Sequence, residues 1–590
     1  MNVIAQVLGF SAIGISLFVY SRKKREHILS CKLAQDVLWA THYCLLGAYS
    51  AMATNLICAA RECTFYNQSS RIARSRIITA AFISFYLLSA LLTWKNVFSI
   101  FPALSSTFST LAFRMKDPIK IKLLAIPSSL CTLVYNVTTS HSVSVYIGIS
   151  ITLTTICFSL AEAFISKRKE NKTMSKEKIK IAIIGCGRFA KNFVPLFKAH
   201  PEVEKVVVCD LIRERAEEYS KSFGVDIIDS FEEALSSKDI NSVAIFTQRF
   251  KHGEMVISAL KAGKHVYSAV PCSISIDEIK EIERLVRQTR LTYSMGETGF
   301  YRAPAILCRK LYKEGHFGQF VYGEAQYNHD IRNMEASFRS SGGEDWKKYA
   351  GIPPMFYPTH STAMILSAMP GVYVTAVSAQ GYKSAQTDIY GSDGQNLYDN
   401  PFANTAMLVK LSNGGVARIS ENRNLGWKAP ETYISQFYGT NGCYEYSIAN
   451  HYLTSWDPDK KGSVIIKNIN DMMFPESIVE QLKTDFDAGI QAIADGAGFR
   501  ETSPIQKLDQ LPESYKELPN GHNGTHQYLI DDFCRAYATG KLSPTNIWAV
   551  ARYNIPGLIA HQSALRGGEL MQVPDLGDPP ADWEVLEPKT

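Results

Sequence analysis

A run of β-branched and small apolar residues at 179–184 leads directly into Gly185-Cys186-Gly187-Arg188-Phe189-Ala190 and then into a helical stretch from Lys191. Few folds accommodate that order. The run suits a buried parallel strand. Gly185 permits a tight turn, Gly187 lets the backbone approach a pyrophosphate, and Ala190 allows a helix to pack closely on the strand. Cys186, Arg188 and Phe189 complete the loop, and the helix N-terminus offers free N–H donors to phosphate. A second strand at 206–209 ends at Asp210. A carboxylate there accepts hydrogen bonds from the ribose hydroxyls of NAD and repels the 2′-phosphate of NADP, a preference that Arg213 softens. The expected cofactor is therefore NAD rather than NADP. Strands at 243–247, 264–267 and 292–295 alternate with helices at 252–262 and 276–288, the pattern of a doubly wound α/β sheet. Thr247, His252, Pro271 and Glu297 fall on the cofactor side of that sheet. His252 suits packing beneath the nucleotide loop better than catalysis.

The first 165 residues read differently. Apolar runs lie at 1–20, 33–48, 50–66, 77–93, 97–113, 122–138 and 143–165. Each is close to the roughly 20 residues that cross a bilayer as a helix. Basic residues follow alternate runs: Arg22 to Arg25, then Arg61, Arg71, Arg74 and Arg76, then Arg114, Lys116, Lys120 and Lys122, then Lys167 to Lys169. Lys and Arg gather in cytoplasmic loops. The expectation is an all-α polytopic membrane domain of about seven helices with its N-terminus outside. Asp36, His42, Asn55 and Asn136 fall in or near these runs, where they either mark a pathway or bond across helices. A charged linker is expected at 166–177, with Met174 inside it as at a junction of two once-separate proteins. A dinucleotide-binding domain follows at 178–298 and a substrate and oligomerisation domain at 299–590. The net charge of +6 is small for 590 residues and calls for no nucleic-acid partner. The 12 cysteines show neither CxxC pairs nor metal-ligand spacing, so they read as reduced core residues with no metal site.

Two resemblances follow. The words AQVLGF, LWATHYCLLGAYSA and NLICAARECTFY resemble the YgjV family of bacterial inner-membrane proteins over about residues 1–165. That implies a multi-pass location in the bacterial inner membrane, with lipid as a partner and the remainder of the chain in the cytoplasm. The segments IAIIGCGRFA, TQRFKHGEMVISALKAGKHVYS and KLYKEGHFGQFVYGEAQY, with Asp210, Pro271 and His360, resemble the Gfo/Idh/MocA oxidoreductases over about residues 178–577. This implies a Rossmann domain followed by an α/β domain with a large open, mostly antiparallel sheet, which carries a substrate wall and a homo-oligomer interface. Two ionisable groups usual in that family are missing. The Lys of its Glu-Lys-Pro word is Val270 here, and the Asp four residues before its His is Phe356. With Glu297, Tyr301 and Arg302, the word Tyr357-Pro358-Thr359-His360 is similar to the NAD-dependent glycosidases of family 109. Their Glu-Val-Pro word is Ala269-Val270-Pro271 here.

Hydride transfer from a sugar carbon needs a base for the hydroxyl proton. Unperturbed His titrates near pH 6.5, and Tyr serves when neighbours lower its pKa. His360 is the first candidate, with Tyr357 as hydroxyl orienter or proton relay and Tyr301 as a second base. Arg302, His329 and His522 are candidate substrate contacts, His329 next to Asp330 and His522 near His526. Each has a plain structural alternative: His360 as a helix cap or core residue, Tyr301 as a core aromatic, His522 and His526 as a cap. Three functions fit: NAD-dependent oxidation of a sugar or cyclitol, glycoside cleavage with retained NAD, and nucleotide-responsive regulation of the N-terminal part.

Overall fold

The computed structural model describes every residue except 1–2, 20–21, 23–24, 46–48, 67–74, 93, 95, 116–117, 136, 139–142, 174–176, 392–393, 427–431, 448 and 590. The basic positions Lys23, Lys24, Arg71, Arg74 and Lys116, together with Asn136 and Met174, lie outside the described residues. The chain divides into two compact units, Met1–Ser175 and Lys176–Thr590.

The first unit is helical where it is described. Its helices span Val3–Val19, Arg25–Leu45, Tyr49–Tyr66, Arg76–Leu92, Phe101–Arg114, Pro118–Tyr135 and Val143–Thr173. Val19, Ile28, Leu29, Phe65, Phe113, Ile121 and Ile156 form its apolar centre. The expectation of membrane-crossing helices is corrected here: among the described residues, no helix is long and apolar enough to cross a membrane. Val3–Val19 and Arg76–Leu92 have 17 residues each. At 1.5 Å per residue that is about 25 Å, short of a hydrocarbon core of about 30 Å. Arg25–Leu45 and Tyr49–Tyr66 carry charge inside. Lys32 pairs with buried Asp36 at 2.7 Å, and buried Arg61 pairs with buried Glu62 at 2.6 Å. The last helix also runs on to Thr173, into the stretch expected as a linker. Lys, Arg and Glu are good helix formers, so a run without apolar periodicity need not end a helix.

The second unit holds two sheets. The first has six strands: β1 (Ile179–Ile184), β2 (Val203–Cys209), β3 (Asp226–Ile227), β4 (Ser242–Ile245), β5 (His265–Ser268) and β6 (Tyr293–Met295). Their order is β3-β2-β1-β4-β5-β6, all neighbours parallel. β1 and β4 are almost wholly buried, as a sheet covered on both faces requires. The order reverses between β1 and β4, which opens a crevice at the carboxyl ends of the strands. The helix after the glycine loop is shorter than expected. A 3₁₀ turn at Ala190–Asn192 gives way to Val194–Ala199, because Pro195 has no N–H and restarts the helix.

The second sheet has nine strands: β7 (Phe320–Asn328), β8 (Val374–Lys383), β9 (Phe402–Leu411), β10 (Val416–Asn422), β11 (Thr432–Gly439), β12 (Gly442–Ser447), β13 (Asn450–Trp456), β14 (Val464–Asn468) and β15 (Met571–Gln572). The order is β14-β13-β12-β11-β7-β10-β9-β8-β15. β7 and β10 run parallel, while β7–β11, β9–β10 and β8–β9 are antiparallel. Along β9 buried and exposed residues alternate, so one face is covered and the other open. The wholly buried helix Thr359–Leu366 lies on the covered face against β7, β10 and β11.

Burial lowers the pKa of several histidines of this unit, to about 3 for His329, His451 and His526 and to about 4 for His561. Unfolding restores them to about 6.5. Their contribution is complete above that value and is lost as pH falls, because the unfolded chain then binds more protons. Stability should fall between about pH 6.5 and pH 4, by on the order of 1 kcal/mol per pH unit for each buried imidazole. Urea midpoints of the full-length chain at about pH 7.5 and pH 5 measure this directly; equal midpoints would contradict it.

Candidate active site

The nucleotide end is built by the backbone. Gly185 has φ +98°, and a Cβ there would lie 2.6 Å from the Phe246 carbonyl oxygen. Its N–H donates to the Cys209 carbonyl at 2.8 Å, tying the loop to β2. Gly187 faces open space, which leaves room for a pyrophosphate. Asp210 accepts from the Cys186 N–H at 2.7 Å and from the Ile212 N–H at 2.8 Å. Its carboxylate is thus fixed at the end of β2, where a ribose would sit. Arg213 is exposed and turns to Asp229 at 2.6 Å and Glu217 at 3.3 Å, so its charge is engaged on the protein. Arg188 is exposed and Ala190 buried. Phe189 packs on Phe193, Phe246, His522 and His526. His252 is held between two carbonyls, Pro271 at 2.7 Å from Nδ1 and Thr247 at 3.1 Å from Nε2. Desolvation lowers its pKa, in keeping with a packing role.

Beyond β6 the chain places a carboxylate against an imidazole. Glu297 is fully buried, and its Oε1 accepts from the Gly299 N–H at 2.7 Å and from His360 Nδ1 at 2.6 Å. A carboxylate only accepts, so Nδ1 donates to it, and in the neutral imidazole Nε2 is left as an acceptor. The Tyr357 hydroxyl lies 3.2 Å from Nε2, which accepts from it in that tautomer. Glu297, His360 and Tyr357 thus form one hydrogen-bonded chain. Glu297 Oε2 has no partner among the described residues. Gly299 makes the approach possible, since a Cβ there would lie 2.8 Å from the His360 carbonyl oxygen. Burial pushes the Tyr357 phenol up to about 12, although Arg249 pulls it down. It therefore holds its proton at neutral pH.

A second pair lies beside the first. The Tyr327 hydroxyl is 2.6 Å from His329 Nδ1, and the Tyr327 ring is 5.0 Å from that of His360. His329 is lowered to about 3 by burial, and secondarily by Arg423 and Arg249. Arg423 lies 4.7 Å over the Tyr327 ring and pairs with buried Glu421 at 3.0 Å. Glu421 also accepts from the Ser361 hydroxyl, and burial raises its pKa to about 8.

Of the other expected site residues, His522 lies within electrostatic reach of Arg302, His360 and His329. Tyr301, expected as a second base or a core aromatic, packs in the core. It is fully buried, stacks 4.8 Å from Tyr528, and donates to Asp532. Desolvation, then Asp532, pushes its pKa well above 10.0, so it holds its proton at neutral pH. Arg302 donates to Asn523. His522 sits at φ +52° and meets His526 at 2.8 Å, beneath Phe189. Both rings pack edge-on against Phe189 of the glycine loop. Phe356, at the position of the missing Asp, packs its ring 5.1 Å from His561, and Val270 is buried. Sequence reading did not single out Arg249, Tyr327, Glu421 or Arg423. Tyr327 stands two residues before His329, and Glu421 and Arg423 share a polar run at the end of β10, the only signals available.

Residues 3–161 match the family described as "Bacterial inner membrane protein" (Imp-YgjV). Residues 179–297 match the Gfo/Idh/MocA family, described as "Oxidoreductase family, NAD-binding Rossmann fold". A "Glycosyl hydrolase family 109 protein" of Saccharopolyspora erythraea is 25% identical over 302 residues, 47% of this chain and 64% of that protein. Another, of Solibacter usitatus, is 23% identical over 437 residues, 70% of this chain and 90% of its own. An "Alpha-N-acetylgalactosaminidase" of Shewanella oneidensis is 25% identical over 207 residues, 33% of this chain and 44% of its own. Among solved structures, levoglucosan dehydrogenase in complex with NADH and levoglucosan superposes with TM-score 0.51 at 18% identity. The match covers 68% of this chain and 100% of that one. An oxidoreductase domain protein from Kribbella flavida gives 0.50 at 14% identity, with the same coverage.

The Gly185 geometry yields a prediction. Gly185→Ala would force a Cβ onto the Phe246 carbonyl at a positive φ. NAD affinity should weaken about tenfold or more. A fluorescence titration of the full-length variant with NAD measures it, and an unchanged Kd would contradict the loop assignment.

Proposed function

We propose that this chain, whose residues 179–297 form an NAD-binding Rossmann domain of the Gfo/Idh/MocA oxidoreductase family, oxidises a hydroxyl of a sugar-like substrate. The observation that carries the reading is the hydrogen-bonded chain from buried Glu297 through His360 to the half-buried Tyr357 hydroxyl. NAD bound in the crevice supplies the hydride acceptor. The substrate hydroxyl gives its proton to the Tyr357 oxygen as the Tyr357 proton passes to His360 Nε2. Glu297 then stabilises the resulting imidazolium through Nδ1, at a site where burial strengthens the attraction. This chain accounts for the absence of the family's Lys at Val270 and Asp at Phe356: a different carboxylate orients the histidine. Asp210 and the glycine loop hold the cofactor.

The Tyr327–His329 pair supports a second reading, in which NAD stays bound and a glycoside is cleaved. Oxidation acidifies the neighbouring C–H, a second base removes that proton, and the C1 substituent leaves; addition of water and return of the hydride complete the cycle. Simple dehydrogenation needs one imidazole at the reacting end, and the His329 imidazole, unprotonated at neutral pH, is a second. Relatives named as family 109 glycosyl hydrolases point the same way, while Ala269 departs from their Glu. The match of residues 3–161 to an inner-membrane family supports association of the chain with the bacterial inner membrane.

Two measurements on the purified full-length chain test these readings. On a panel of sugars and cyclitols, simple oxidation accumulates NADH. The retained-cofactor route instead releases NAD only on denaturation and exchanges substrate C–H with deuterated water. Bound dinucleotide with neither outcome would defeat both readings and favour a regulatory role. Glu297→Gln removes the charge that holds the imidazolium while keeping the shape. Its kcat should fall on the order of a hundredfold or more with KM little changed; an undiminished kcat would remove Glu297 from the mechanism.

A further inference from the structure

Arg249 opens a short 3₁₀ turn, Arg249–Lys251, just after β4. It is half-buried, with its guanidinium 4.3 Å from the centroid of the Tyr357 ring and 5.6 Å from that of Phe338. Ring faces attract the cation but leave its five N–H donors unused. Among the described residues it has neither a carboxylate partner nor a hydrogen bond to an acceptor. Other guanidiniums of this unit are committed. Arg423 binds Glu421, Arg332 binds Asp330 at 2.7 Å, Arg302 binds Asn523, and Arg215 binds the Ser340 carbonyl. The charge of Arg249 also reaches the phenols of Tyr357, Tyr390 and Tyr398 and the His329 imidazole. Arg249 thus brings a guanidinium with no ion-pair partner among the described residues onto the face of the ring whose hydroxyl is assigned to proton transfer.

We infer that Arg249 is an anion-binding subsite that takes a carboxylate of the substrate, so that the preferred substrates are sugar acids of the uronate class. This rests on the sugar-oxidising reading of the Glu297–His360–Tyr357 chain. A planar guanidinium matches a carboxylate in a two-bond fork and gains more from it in a half-buried site than in water. A phosphate of the dinucleotide shares that oxyanion chemistry. The pyrophosphate, however, belongs at the glycine loop over Gly187, whereas Arg249 lies against Tyr357 at the end where the proton moves.

The test uses the full-length chain loaded with NAD, in wild-type form and as Arg249→Met, which keeps an apolar stem against the rings, and Arg249→Lys. Calorimetry compares glucuronate with glucose and galacturonate with galactose; NAD affinity and turnover are measured separately. The wild type should bind at least one uronate about tenfold or more tighter than its neutral partner. Arg249→Met should abolish that preference without changing the NAD Kd, and Arg249→Lys should keep part of it. Equal binding of uronate and neutral sugar by the wild type overturns the subsite. A weakened NAD Kd with the uronate preference intact assigns Arg249 to the cofactor phosphate and also overturns it. Uronate preference lost in Arg249→Met, but with no turnover of any sugar, upholds the subsite and defeats the oxidation reading. Turnover of neutral sugars without any preference does the reverse.

Discussion

The hydrogen bond between His360 Nδ1 and Glu297 Oε1 holds the reacting end of this protein together. At 2.6 Å it links the end of the six-stranded sheet to a helix seated on the nine-stranded one. Neither group is at the surface. A buried carboxylate is costly unless its oxygens accept hydrogen bonds, and the imidazole N–H supplies one. The bond therefore ties the two layers together at this point. It also fixes chemistry, since a carboxylate on Nδ1 leaves Nε2 free to accept from Tyr357. Gly299 at the junction has no room for a side chain between Glu297 and His360.

Much of the second unit was legible because its signals are local. The run at 179–184, the two glycines and Ala190 sit within a dozen positions, and backbone geometry alone decides what they do. Asp210 was readable from its place at a strand end. The resemblance carried the large mostly antiparallel sheet and pointed to Tyr357 and His360. The partnership of Glu297 with His360 was not legible, because 63 residues separate them and only the packing of two sheets brings them into contact. Tyr301 misled for the same reason. Nothing near it in sequence announces Asp532, 231 residues on, or the Tyr528 ring against which it stacks.

The first unit shows where composition overreached. Its apolar runs coincide with helices, but apolar character in sequence did not establish bilayer length. Two helices are too short, and two others turn ion pairs into the interior rather than offering an unbroken apolar surface. Arg61 is instructive. Read as a loop charge that sets orientation, it is buried inside the helix Tyr49–Tyr66, paired with its neighbour Glu62 and 5.1 Å over the Phe113 ring. A charge count along the sequence cannot tell an inward guanidinium from an outward one.

The proposed proton relay depends on which nitrogen of His360 carries the proton. Nitrogen NMR of histidine-labelled full-length protein, assigned by comparison with His360→Gln, reads this at neutral pH. The account predicts a single tautomer with the proton on Nδ1 and an unprotonated Nε2, lost to a mixture when Glu297 becomes Gln. A proton on Nε2, or the same tautomer mixture with and without the Glu297 carboxylate, would contradict it.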